Sequence, residues 1–450
     1  MAEATAVEQL LLELINRARI DPAGEAKRYG IDLNKDLPAG SITSAPKQVL
    51  AFNPLLNDAA AAHSQWMLDT DTFSHTGDNA SSPGARMTAE GYAFTGSWTW
   101  GENIAWSGTT GTMNANTAIF DHHRNLFLSS GHRENILNGD FREVGLGSLT
   151  GTFTTGGTAY NSLMTTEDFA KSGAKLFITG VTYTDSDSND YNSIGEGAGG
   201  RAVQLVQNGV SVATTSSGTA GGYALGTTVT GAVEVQFSGG GLAGTMAASV
   251  TLAGSNIKVD LVDGNTILSN ASTILRGASA NLTLLGIEAI NGAGNTLANV
   301  IAGNGAANII VGQAGDDQLL GCSGTDRLSG GTGSDTLDGG AGTDRLRGGA
   351  GADHFVFSSL ADAASGKDLI IDFQDGVDTI DLHLIDAVAG GADQAFNLLA
   401  AGQSLKAGYL HIFQTATQTC VEGDVTGDGA ADFMIKLAGL HNLTAADFVL

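Results

Sequence analysis

The sequence predicts a multidomain, β-rich protein: a mixed α and β globular domain, then a β-sandwich, a parallel β-roll and a C-terminal β domain. Three observations carry this. The 450 residues exceed a single domain, and Gly supplies 64 of them against 5 Pro, so the glycine is structural rather than linker-like. Asn299, Asn308, Asp317, Asp326, Asp335, Asp344 and Asp353 recur every nine residues, and a fixed short period marks a solenoid. All four tryptophans fall in the first 172 residues, where helical and strand patterns mix. The expected boundaries are 1–172, 175–250, 251–298 as a β-rich lead-in, 299–357 for the roll, and 358–450.

In the first domain the apolar spacing predicts helices over 4–19, 53–70 and 114–128, and strands over 141–149 and 159–170. Leu10, Leu11, Leu14 and Ile15 share one face of the first helix. The domain also contains Asn53-Pro54-Leu55-Leu56 opening a helix with His63-Ser64, then Phe73-Ser74-His75, Gly101-Glu102-Asn103-Ile104-Ala105-Trp106, and Ser130-Gly131-His132-Arg133-Glu134-Asn135-Ile136-Leu137 followed by Val144-Gly145-Leu146-Gly147. In this order and spacing they resemble the CAP (SCP) superfamily of cysteine-rich secretory proteins, antigen 5 and pathogenesis-related 1, in a cysteine-free bacterial form.

The resemblance implies an α-β-α sandwich with an open cleft lined by two histidines and two acids. His75, Glu102 and His132 match three of those places, and His123 stands where the second acid is expected. Three imidazoles and one carboxylate suit Zn2+; without metal they suit acid–base work. Structural roles stay open: Glu102 bridging backbone amides, His132 capping or packing, His75 solvated. The zinc-protease helix motif His-Glu-x-x-His and the hydrolase elbow Gly-x-Ser-x-Gly are absent from the sequence. A Ser–His–Glu set would have to draw on Ser64 or Ser130.

Between 175 and 250, short alternating runs such as Val233-Glu234-Val235-Gln236-Phe237 with Gly and Ser turns predict the sandwich. Asp185, Asp187, Asn189, Tyr191 (through its carbonyl) and Glu196 stand at positions 1, 3, 5, 7 and 12 of a calcium loop, with Asp190 where glycine is usual. The alternative is a solvated acidic loop. With Gly197-Ala198-Gly199-Gly200 and Gly222-Tyr223-Ala224, the segment resembles the Cna-B/SdrD-like modules of bacterial surface proteins.

In the roll, each Asp from Asp326 onward ends a Gly-x-x-Gly-x-Asp turn, and Leu319, Leu328, Leu337, Leu346 and Phe355 follow at the next residue but one. Turns of small residues let backbone carbonyls and a carboxylate converge on a hard cation, and a three-residue strand then points its middle side chain inward. Asn308, Asp317, Asp326, Asp335, Asp344 and Asp353 are therefore expected Ca2+ ligands. The pattern resembles the hemolysin-type RTX repeat of type I-secreted bacterial proteins.

Beyond it, Ile371-Asp372-Phe373, Gly376-Val377-Asp378-Thr379-Ile380-Asp381-Leu382 and Gly423-Asp424-Val425-Thr426-Gly427-Asp428 resemble the serralysin-type C-terminal domain. That resemblance implies an uncleaved C-terminal signal read by type I secretion machinery. Asp424, Asp428 and Asp432 are candidates for one more Ca2+.

A net charge of −26 disfavours nucleic acid and anionic membranes and fits a cation-loaded protein. The N-terminus lacks a cleavable signal pattern, and no apolar run is long enough to span a bilayer. Cys322 and Cys420 read as incidental thiols or as one bridge. The expectation is a secreted, extracellular calcium-binding protein whose CAP cleft takes an extracellular ligand. The alternatives are an extracellular hydrolase using the same cleft and a structural or adhesive surface protein.

Overall fold

The computed structural model describes residues 3–189, 191–363, 368–390, 394–400 and 402–450, which fall into two compact units, Met1–Asn270 and Ala271–Leu450.

The first unit begins with α1 (Ala6–Ile20), started by a Thr5–Glu8 capping box, and α2 (Pro22–Arg28). A short β1 (Ala51–Phe52) leads into α3 (Pro54–Asp69), whose first amides are capped by Asn53. Then follow α4 (Pro83–Ala89), β2 (Trp98–Thr109), α5 (Ala115–Leu128), α6 (Ser130–Ile136), β3 (Glu143–Thr155) and β4 (Thr158–Ser172). The sheet order is β1-β3-β4-β2, so β2 is an edge strand.

Helices lie on both faces of this sheet. Leu11, Leu14, Ile15, Ile119 and Phe127 pack with Val144, Leu146, Leu163 and Phe169 on one side. On the other side α3 lies directly on β3. A Cβ at Gly145 would sit 2.0 Å from the Leu56 carbonyl carbon, and one at Gly147 2.2 Å from the Ala61 nitrogen. Alternation along a strand puts both glycines on one face, which explains why a Gly-x-Gly pair stands in β3.

The rest of this unit places four strands in each of two sheets. One runs Thr266–Ser269, Ile257–Val262, Leu176–Tyr183, Gly222–Thr227; the other runs Met246–Leu252, Gly231–Ser238, Ala202–Gln207, Val210–Ser216. Tyr223 of the first meets Phe237 of the second edge-on, with centroids 5.6 Å apart. The expected lead-in over 251–298 is split. Ile257–Val262 is buried at every position and pairs in parallel with Leu176–Tyr183, so it belongs to the first unit.

In the second unit each short strand pairs in parallel with the strand one turn further on. Ile301, Leu319, Leu337, Phe355 and Ile380 stack in register, as do Ile310, Leu328, Leu346 and Ile370, and all of them are buried. Turn positions Gly331, Gly340 and Gly349 have positive φ, and so do Gln313 and Cys322 in register with them; the L side chains accept strain there that glycine avoids. The antiparallel strands Tyr409–Gln414, Gln418–Asp424 and Phe433–Ala438 extend one stack, and Phe448–Val449 extends the other. Cys322 and Cys420 are both free thiols.

Candidate functional site

Three groups of predicted ligands can be followed from sequence to geometry. The first is the group that the resemblance places in the N-terminal domain: His75, Glu102, His123 and His132. Glu102 lies in β2 with its side chain almost fully covered. One carboxylate oxygen accepts from His75 Nδ1 at 2.8 Å, and the other accepts from Arg86 Nη2. A carboxylate can only accept, so Nδ1 carries the hydrogen and His75 Nε2 is left as a base on a half-exposed ring. Arg86 also holds the His75 and Ser81 carbonyls, which fixes the loop that presents His75.

His132 is half-buried on α6, with Nδ1 2.8 Å from Ser129 Oγ. Burial, then the neighbouring His75, lowers its pKa. Asn135 ties α6 to the same strand through the Glu102 carbonyl and the Asn103 side chain.

His123 does not join this cluster. It is fully buried on α5, and its Nε2 donates to Glu25 Oε1 at 2.9 Å. Arg17 holds Glu25 by two further bonds, at 3.0 and 2.7 Å. Burial opposes ionisation of Glu25, but the bonds from His123 and Arg17 outweigh it and hold the carboxyl down at about 2. His123, expected from the resemblance to stand in place of an acid, thus joins α5 to α2 through Glu25.

Arg86 and two buried acids near Glu102 were not anticipated. Asp168 is opposite Glu102 across β2 and β4 and is fully buried, with no N–H aimed at its carboxyl among the described residues. Burial, then the charge of Glu102, raises its pKa well above the ordinary range. Its neighbour Glu167 accepts from Asn103 at 2.9 Å and is pushed up to about 7 by burial. Two adjacent acids in the middle of a buried strand were the sequence signal for both. Ser64 is buried against the Gly147 carbonyl and Thr166, which removes it as a nucleophile.

The second group is the loop after Tyr183. Ligand atoms of Asp185, Asp187 and Glu196 come within 4.8 Å of one another, the one such cluster of His, Cys, Asp or Glu among the described residues. Glu196 also accepts from the Ser186 and Ser193 amides. Asn189 bonds Asp187 Oδ2 at 3.0 Å. The Tyr191 ring turns away, with its hydroxyl on the Leu10 carbonyl and Arg17 over its face. Asp190 lies outside the described residues.

The third group is the roll. Asp317, Asp326, Asp335, Asp344 and Asp353 are buried. In each, Oδ1 accepts the backbone N–H of the residue one turn earlier, at 2.7 to 3.0 Å, whereas Oδ2 is buried without a partner among the described residues. A Cβ at Gly312 would fall 2.2 Å from Asp317 Oδ2 and 2.7 Å from the Gly330 carbonyl oxygen, so carboxylate and carbonyl converge where glycine leaves room. Burial raises Asp317, Asp326 and Asp353 to about 6 and Asp344 to about 7.

The asparagines differ. Asn308 Oδ1 accepts from the Asn304 amide, and Nδ2 donates to the Ile290 carbonyl at 2.6 Å; Asn299 does the same with Asn295 and Ala280. Asp424 and Asp432 spend their oxygens on turn amides of residues 425–429, and Asp428 accepts from Ala430.

Residues 12–161 match the Cysteine-rich secretory protein family (CAP), and residues 285–450 match the Peptidase M10 serralysin C terminal. Among solved structures, an extracellular SCP-domain protein of Bacillus anthracis is 23% identical over 34% of this chain and 42% of its own, with a TM-score of 0.20. A subunit of the Azotobacter vinelandii mannuronan C5-epimerase is 29% identical over 34% and 78%, with a TM-score of 0.20. An outer surface protein of Borrelia burgdorferi is 15% identical over 38% and 97%, with a TM-score of 0.24. The chain thus spans less than half of the Bacillus protein. No curated protein matches significantly. No helix among the described residues is long and apolar enough to cross a membrane.

Proposed function

We propose that this chain, which joins a CAP domain to a serralysin-type C-terminal domain, is a calcium-loaded protein exported by type I machinery, and that its CAP cleft binds an extracellular ligand. In this reading residues 175–269 are a β-sandwich spacer and 299–357 a parallel β-roll.

The observation that carries the reading is the row of five buried, partnerless Oδ2 atoms. An ionised carboxylate oxygen taken out of water without a donor or cation is costly. Calcium ions bound along the two stacks would supply the missing charge, each held by Oδ2 atoms among Asp317, Asp326, Asp335, Asp344 and Asp353 together with turn carbonyls. The Asp185, Asp187 and Glu196 cluster is a further candidate for the same ion. The fully bonded Asn308, and Asp424 and Asp432 with their turn amides, close backbone without it. Where calcium is scarce the roll stays open and can thread an export channel; outside, binding free energy becomes folding free energy.

A decalcified full-length sample, titrated with calcium and followed by circular dichroism and elemental analysis, tests this. Several ions taken up together with a gain of β signal are expected. A fully folded roll that retains no calcium in chelator would overturn it.

A second reading has its own observation. Glu102 fixes the His75 tautomer and leaves Nε2 as a base toward solvent, an acid–base arrangement suited to hydrolysis. In this reading Glu102, held by Arg86, orients the His75 base, and the chemistry invokes no Zn2+. Assays on casein and activated esters decide. A drop of about 100-fold in His75→Ala would support hydrolysis, and equal rates would remove it.

A further inference from the structure

The second unit carries a basic feature on an acidic body. Residues 271–450 contain 7 Lys and Arg against 21 Asp and Glu. Three of the seven, Arg327, Arg345 and Lys436, line one groove of about 260 Å³ with Thr325, Thr343 and Gln418. They are in register: Arg327 pairs with Arg345 on the next strand, Arg345 with Leu369, and Leu369 with Lys436. The segment Gly-Thr-Asp-Arg-Leu occurs at 324–328 and again at 342–346, so one roll turn repeats the same Thr and Arg.

Both arginines are exposed, and neither forms an ion pair among the described residues. Adjacent strands lie about 4.8 Å apart, so the groove presents cations on the first, second and fourth rungs of a ladder about 14 Å long.

We propose that this ladder binds a linear acidic polysaccharide carrying one carboxylate per sugar. Arg327 and Arg345 each fork onto a carboxylate, because guanidinium and carboxylate match in a planar bidentate pair. Lys436 meets a charge further along. Thr325, Thr343 and Gln418 offer hydrogen bonds to sugar hydroxyls. The rung spacing suits a chain charged once per residue. Nucleic acid, with about one charge per 1.7 Å of duplex, would meet repulsion from the acids around the groove. The groove also contains Asp326, whose charge opposes an anion until calcium neutralises it; to that extent the inference rests on the calcium reading.

The test uses the full chain in calcium and a labelled oligogalacturonate too short to gel, followed by fluorescence anisotropy. Calcium content is measured on the same samples, so failure to load calcium is distinguished from failure to bind sugar. Binding that weakens at least tenfold in the double variant Arg327→Gln/Arg345→Gln, at unchanged calcium content, is expected. The double variant Arg327→Lys/Arg345→Lys, which keeps the charge but not the fork, should retain part of the binding. A neutral oligosaccharide of equal length should not bind. Equal affinity of the Gln variant and the parent, or tighter binding of single-stranded DNA than of the uronate, would overturn the proposal.

Discussion

The N-terminal domain and the roll both bury carboxylates, but they neutralise them differently. Glu13 meets Lys258 at 2.9 Å, Glu25 meets Arg17 and His123, and Glu102 meets Arg86 and His75. Each of these three charges finds a partner within the chain, whereas burial favours the neutral form of Asp168. In the roll, five aspartates each keep one buried oxygen with no partner, and Arg327 and Arg345 point outward. One region balances its charge internally, whereas the other is built to take its counter-charge from solution. The first should therefore fold alike in any compartment, and the second only where a divalent cation is available.

The largest expected effect tests that contrast directly. Calorimetry in excess chelator should abolish the transition of the second unit and leave that of the first nearly unmoved; joint loss of both would break the comparison. Next, Glu25→Ala strands Arg17 and His123 in the interior and should cost about 3–5 kcal/mol, read as a lower denaturation midpoint of the first unit. Acid should then act on the two regions in opposite senses. Glu25 is depressed to about 2, so its contribution is present above its unfolded pKa and fades as pH falls toward that value. In the roll, burial raises Asp326 to about 6 and Asp344 to about 7, so without calcium the folded roll holds more protons. Its stability falls as pH rises from about 4 to 7 and recovers on acidification. Circular dichroism in chelator across that range checks the sign; with calcium present the trend reverses, because protons compete with the ion. The smallest effect sharpens the asparagine distinction. Asn308→Asp deletes the donor to the Ile290 carbonyl and should cost about 1–3 kcal/mol at a calcium level that just folds the parent, with recovery at saturating calcium.

Much of the architecture was legible in local patterns. Helices expected over 4–19, 53–70 and 114–128 occur at Ala6–Ile20, Pro54–Asp69 and Ala115–Leu128, because caps and apolar spacing act within a few residues. The pairing of His75 with Glu102 followed the motifs that brought them to notice. The part played by His123 did not, because its partner Glu25 lies 98 residues away and only helix packing joins them. Arg86 and Asp168 were missed for the same reason, since each reaches Glu102 from a different element. Ile257–Val262 falls in the first unit, where Lys258, between its apolar residues, meets Asp260 and Glu13; a short alternating run does not say which sheet will bury it.

By itself the sequence determined the period of the second unit, since a nine-residue repeat of small turn residues and inward Leu permits few backbone paths. It likewise placed the carboxylates at the turn ends and the motifs of the N-terminal domain. Tertiary structure alone decided which charged groups meet. It sent His123 to Glu25 rather than to the cleft, gave Glu102 both His75 and Arg86, and set Arg327, Arg345 and Lys436 on one face. The reason is physical: periodicity is a property of neighbours along the chain, whereas the neutralisation of a buried charge depends on whichever distant side chain packing brings within about 3 Å.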